Sequence, residues 1–203
     1  PRVTIHGAAG SQAEAYAAES GIPFSASGST GVTVAHFTDV PASSPYAAAI
    51  LWGVKWDITV GQTPTAFAPD APCTLGQLLT FLWRLNGSPK SNEANHFTDS
   101  IPSSYLPAAI WAYEMGLVCG PTLNADAPCT RRTVITCLWK LAGSPASFSV
   151  PFTDIPQGSE DFMAASWAVT TRVADSGPDY RFSPDAVCSR GQALTYLYRA
   201  FQK

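Results

Sequence analysis

The chain has 203 residues, of which 46% are hydrophobic and 13% charged, with a formal net charge of -3. That composition suits a packed core or a set of small packed units and excludes a wholly disordered chain. The slight acidity argues against a nucleic-acid binder, which would carry a basic face, and no apolar run approaches the roughly 18 residues of a membrane span.

In chain order, Val3-Thr4-Ile5-His6 predicts a short strand, punctuated by Gly7 and Gly10. Ser11 can cap a helix from Gln12 to Glu19, with Glu14 completing a capping box. Gly21 ends it, and Ile22-Pro23-Phe24 leaves extended. Residues 25–36 have linker composition. With neither an initiator Met nor a signal peptide, the sequence reads as a piece of a longer protein.

From there the sequence repeats itself. Phe37-Thr38-Asp39, Phe97-Thr98-Asp99 and Phe152-Thr153-Asp154 stand 60 and 55 residues apart. A second marker recurs with them: Asp70-Ala71-Pro72-Cys73-Thr74-Leu75, Asp126-Ala127-Pro128-Cys129-Thr130-Arg131 and Asp185-Ala186-Val187-Cys188-Ser189-Arg190. Two markers moving together define an internal repeat. Each copy predicts a first helix with a tryptophan (Trp52, Trp111, Trp167) and a small-residue face, then a turn, then a long second helix. Ser44 before Pro45 predicts a cap with Pro at the first helical position in the first copy. On the second helices Gln77, Thr80 and Arg84 recur as Thr133, Thr136 and Lys140, and as Gln192, Thr195 and Arg199. Spacing of i, i+3, i+7 places them on one stripe of an otherwise apolar helix. Gly87-Ser88-Pro89 and Gly143-Ser144-Pro145 stop the first two of these helices.

Thr74, Thr130 and Ser189 fall at N-cap positions, and Gln77 and Gln192 complete capping boxes that Thr133 weakens in the second copy. Arg131 and Arg190 then occupy the first helical position, beside backbone N–H groups and the positive end of the dipole. This is the sequence signature of an anion site, and a guanidinium can grip a carboxylate bidentately. Leu75 stands at that position in the first copy, so a groove relying on it lacks the cation. The competing structural roles are plain: capping for the hydroxyls, core packing for the tryptophans, turn formation for Asp39, Asp99 and Asp154.

The five cysteines include three at one repeat position, where a small apolar residue can be buried. Cys119 and Cys137 share a copy and could pair, though small buried thiols are common. No CxxC or Cys/His cluster occurs, so neither zinc nor another metal is expected. No GxSxG, HExxH, P-loop or dinucleotide fingerprint occurs either, so no catalytic residue and no cofactor is assigned.

These markers together resemble the surface-layer homology repeat of bacterial cell-envelope proteins. The likeness covers about 37–203 as three tandem copies (37–90, 91–146 and 147–203), in a cysteine-bearing form similar to clostridial ones. Residues 1–24 resemble the closing unit of a bacterial surface leucine-rich-repeat domain. The resemblance implies an all-α module of three two-helix repeats in a pseudo-threefold bundle, with sugar-binding grooves between neighbours. It implies non-covalent anchoring of a secreted surface protein to secondary cell-wall polysaccharide, including pyruvylated sugars, and an extracellular, wall-associated location. A pyruvate ketal would supply the carboxylate for Arg131 and Arg190; Thr130, Ser189 and Thr74 would flank it, and Trp52, Trp111 and Trp167 would offer platforms for a sugar face. The alternative from another class is a surface-displayed module that binds a host or bacterial protein. An exposed aromatic patch without arginines would favour that reading.

Overall fold

The computed structural model describes residues 5–7, 18, 24–26 and 36–202. Strands β1 (Ile5–Gly7) and β2 (Phe24–Ala26) pair in parallel, Ile5 opposite Phe24 and Gly7 opposite Ala26. The second strand therefore claims Ser25 and Ala26, which composition had assigned to the linker. Ala18 is helical; the rest of the helix expected over 12–19 lies outside the described residues.

Six α-helices follow among the described residues, two per sequence copy: α1 (Ala47–Lys55), α2 (Leu75–Leu85), α3 (Leu106–Glu114), α4 (Arg131–Leu141), α5 (Glu160–Thr170) and α6 (Arg190–Phe201). The longer second helices start where the capping argument puts them. Thr74 and Ser189 accept from the N–H of Gln77 and Gln192, whose side chains return the bond, giving two full capping boxes. Thr130 caps α4 alone, its hydroxyl 3.0 Å from that of Thr133. The first helices are less local in origin. α1 begins at Ala47, two residues beyond Pro45, and its Tyr46 N-cap makes no side-chain bond; Ser44 instead accepts from the Tyr46 N–H at 3.3 Å. Small residues explain this tolerance: Ala49 and Ala108 are buried, so tertiary packing holds α1 and α3, which lack side-chain caps, whereas α5 has one, Ser159 accepting from the Phe162 N–H at 3.1 Å.

At the exits of α2 and α4, Gly87 and Gly143 take φ of 79° and 87°, which glycine adopts without a Cβ penalty. The next N–H groups, of Ser88 and Ser144, reach back to the carbonyls of Trp83 and Trp139, and the Gly N–H groups to Arg84 and Lys140. This is the Schellman pattern. The tryptophans seal it by donating to the Pro89 and Pro145 carbonyls at 2.8 and 2.9 Å.

Each long helix packs on the short helix of the next copy: α2 on α3, α4 on α5, and α6 back on α1. The backbone closes the same circuit. Cys73 N–H donates to the Cys188 carbonyl, Cys188 to Cys129 and Cys129 to Cys73, at 2.7–2.9 Å. The three residues are at most 1% exposed. Around this ring lie Leu78, Leu79 and Leu82 of α2, Val134, Ile135 and Leu138 of α4, and Ala193, Leu194 and Leu197 of α6, all buried. All five cysteines are free thiols, Cys119 exposed and the others buried. Burial pushes Cys73, Cys137 and Cys188 up to about 12, so these thiols are packing groups and not nucleophiles.

The Phe-Thr-Asp elements fasten the loops that precede the long helices. Asp39 accepts from the N–H groups of Phe67 and Ala68, Asp99 from Leu123 and Asn124, and Asp154 from Phe182 and Ser183, at 2.7–2.9 Å. The second residue of each pair has a left-handed φ of 58°, 53° or 57°, a conformation that the paired acceptor stabilises.

Candidate anion-binding groove

The N-termini of α2, α4 and α6 carry the motif residues, but their backbone donors are occupied. Arg131 and Arg132 donate their N–H groups to the carbonyls of Ala186 and Pro184, and Arg190 and Gly191 to those of Ala71 and Pro69. Leu75 and Gly76 do the same toward Ala127 and Ala125. The hydroxyls of Thr74, Thr130 and Ser189 serve the third N–H of each helix. These contacts join copies, which one helix read in isolation does not reveal. The backbone donors at these three termini are therefore committed, and the side chains alone are left to meet an anion.

Arg190 is 3% exposed. Its Nε donates to the Phe67 carbonyl at 3.1 Å and Nη2 reaches the Val60 carbonyl at 3.5 Å, while the guanidinium lies 4.8 Å from the centre of the Phe67 ring. Nη1 has no hydrogen-bond partner among the described residues. Burial lowers the Arg190 pKa from its ordinary value, with the nearby Cys73, Tyr105 and Asp39 acting against that shift. Asp39 already holds two backbone donors.

A cleft of about 320 Å³ opens over this guanidinium, lined by Thr59, Val60, Gly61, Gln62, Gln77, Thr80, Phe81, Arg84, Tyr105 and Arg190. The polar stripe of α2 thus faces it. Arg84 is half-buried and forms no ion pair among the described residues. Tyr105 closes one wall against Gly76, where a Cβ would lie 2.5 Å from the ring. The cleft holds two cations and no carboxylate.

The corresponding place around Arg131 is wired differently. Its Nε donates to the Phe182 carbonyl at 2.9 Å, Nη2 to the Asp175 carbonyl at 2.8 Å, and Nη1 to the Tyr196 hydroxyl. All three nitrogens are engaged. The second cation, Arg199, is paired with the Asp175 carboxylate at 3.0 Å. At the third place Leu75 stands where the other copies have Arg131 and Arg190, and Lys140 is paired with Glu160 at 2.8 Å. There Arg132 replaces the glycine and meets Asp161 and Asp185 at 2.6 and 2.9 Å, where the other copies set Gly76 against Tyr105 and Gly191 against Tyr46.

The tryptophans separate into two groups. Trp111 and Trp167 are 4% and 7% exposed and lie in the core, whereas Trp52 is half-buried with its ring 5.5 Å from Tyr198. Arg84, Phe81 and Tyr105 were not singled out as site residues from the sequence. Arg84 had a visible signal, since it shares the stripe of Gln77 and Thr80. Phe81 and Tyr105 had none until the cross-copy register was known.

Residues 36–79 match the S-layer homology domain family. The matched stretch contains the Asp39 clamp, α1, the 59–62 turn and the first half of the cleft's α2 wall, and so includes the copy in which Leu75 replaces the arginine. S-layer homology domains generally anchor surface proteins to cell-wall polysaccharide, a binding and not a catalytic role. No curated protein matches the chain. Among the described residues no helix is long and apolar enough to cross a membrane, and no group of three or more His, Cys, Asp or Glu side chains could hold a metal ion.

Proposed function

We propose that residues 37–90, 91–146 and 147–203 are three S-layer homology repeats around a pseudo-threefold axis. In this reading they anchor a surface protein non-covalently to anionic cell-wall polysaccharide outside the cell. The cyclic packing of α2 on α3, α4 on α5 and α6 on α1 supports the arrangement. The observation that carries the binding role is the buried Arg190 guanidinium, which forms no ion pair among the described residues and lies beside an equally unpaired Arg84. Asp39 acts on Arg190 through space but gives its oxygens to two backbone N–H groups. A buried cation without an ion-pair partner is costly, and an incoming anion offsets that cost. A carboxylate held on a sugar, such as a pyruvate ketal, has the charge and the planar fork for Arg190 Nη1 and Arg84.

The ligand set proposed from sequence narrows in consequence. Arg190 is the central contact, and Ser189 caps the helix that presents it. Arg131, with all its side-chain nitrogens committed, ties its copy to the third, and the Thr130 and Thr74 hydroxyls are taken by capping their own helices. Trp52 and Trp56 line an adjoining cavity together with Arg84, and aromatic surface beside an arginine favours the glycan over a protein partner.

Co-sedimentation with Gram-positive cell walls tests the proposal. The chain is expected to pellet with walls that keep their secondary polysaccharide and to stay in solution with stripped walls. Arg84→Ala combined with Arg190→Lys should lower retention about tenfold, the loss of one charge-assisted contact. Equal pelleting with both walls would refute polysaccharide anchoring.

A further inference from the structure

We propose that the Arg190 cleft continues past Arg84 into a second subsite, where a neutral sugar adjoining the anionic one stacks on Trp56. This inference rests on the polysaccharide reading and specifies how many units of the polymer the site takes. A cavity of about 420 Å³ is lined by Trp52, Trp56, Ile58, Arg84, Gly87 and Phe201. Arg84 also lines the Arg190 cleft, so the two spaces share one wall. The volume is that of a small-ligand site.

The walls specify the chemistry. Trp56 is 63% exposed, although a tryptophan gains much by burial. Trp52 is braced edge-on by Tyr198 at 5.5 Å, and Ile58 is 1% exposed. Lys55 Nζ lies 5.8 Å from the centre of the Trp56 ring. No carboxylate lines the cavity, and Arg84, its single charged lining group, is shared with the anion cleft. Flat aromatic surface with one shared cation suits the C–H face of an uncharged pyranose in contact with an anionic neighbour.

The asymmetry among copies supports the same assignment. Aligned on Trp52, Trp111 and Trp167, position Trp56 becomes Met115 and Thr171. Aligned on Arg84, Lys140 and Arg199, position Phe201 becomes Asn86 and Ala142. Among the three copies the aromatic shelf therefore coincides with Arg84 and Arg190, the two arginines that form no ion pair among the described residues. Core packing does not require an exposed tryptophan at that place.

Titration calorimetry with two synthetic probes tests this. One is a pyruvate-ketal hexose methyl glycoside; the other extends it by one unsubstituted N-acetylhexosamine. The wild-type chain is expected to bind the disaccharide about fivefold more tightly, the size of one aromatic contact. Trp56→Ala should erase that preference while leaving the monosaccharide affinity intact, and Trp56→Phe should keep most of it. A preference that survives Trp56→Ala, or no preference in the wild type, overturns the subsite. Binding of neither probe by the wild type would overturn the polysaccharide reading itself, and the subsite with it.

Discussion

At position 81 a missing hydroxyl decides what an arginine can do. Tyr196 takes Arg131 Nη1, whereas Phe81, its counterpart, leaves Arg190 Nη1 without a partner. Val60 and Asp175 are counterparts in the same way: the aspartate pairs with Arg199, and the valine offers Arg84 nothing. Two side chains thus separate a neutralised groove from a charged one. The expected outcome of Phe81→Tyr with Val60→Asp is loss of at least tenfold in affinity for the pyruvate-ketal probe, since two charged contacts are pre-empted. The reverse pair, Tyr196→Phe with Asp175→Val, should create a second site, read as calorimetric stoichiometry rising from one to two. Unchanged affinity in the first variant would show that neither cation touches the ligand.

At the scale of elements, the Asp39, Asp99 and Asp154 clamps join each Phe-Thr-Asp segment to the loop ahead of a long helix. For Asp39 and Asp154 burial raises the pKa, but paired backbone donors outweigh it, and all three carboxyls sit below the usual value of 3.8. A carboxyl depressed in the folded state gives its full stabilisation above the unfolded pKa and loses it as pH falls through the folded one. Stability should therefore be flat above about pH 4 and fall below it. Asp39→Asn is expected to reduce that acid dependence, and Asp39→Ala to cost about 1–2 kcal/mol after discounting for solvent exposure. Urea denaturation at several pH values measures both. An acid limb unchanged in Asp39→Asn would assign the effect to other groups.

Much of this scale was legible beforehand, because caps are local. Thr74 with Gln77, and Ser189 with Gln192, span three residues, so the sequence carries both partners side by side. The start of α1 was not legible: Tyr46 has no capping bond, and Ala49 and Ile50 settle the helix by packing. Nor were the partners of the arginines, which lie 51 residues away for Arg131 and Phe182, and 123 for Arg190 and Phe67. A motif states which residue is presented, and only the fold states to what.

For the whole molecule the decisive feature is closure of α6 onto α1. A fragment ending at residue 146 lacks α6, the Cys188 member of the backbone ring and Arg190. It leaves Phe67 and Val60 without the guanidinium and bares the apolar face of α1. Such a fragment is expected to melt without a cooperative transition, in contrast to residues 37–203, when followed by circular dichroism. A sharp transition in the fragment would mean that two copies suffice for a core.

The seam between the first and last copies also fixes an order of events. Contacts between residues far apart in sequence require the largest loop closure, and they generally form late. The anion cleft draws Arg190 from the last copy, Val60 and Arg84 from the first, and Tyr105 from the copy between them. It comes into being when the ring shuts, so a nascent or half-folded chain has no groove to offer. Stopped-flow refolding should therefore show ligand competence emerging with the slowest folding phase, later than most of the helical signal. Competence that appears with the early helical signal would mean the cleft assembles locally. If the order holds, attachment reports completion: only a chain folded through its final helix is able to hold on.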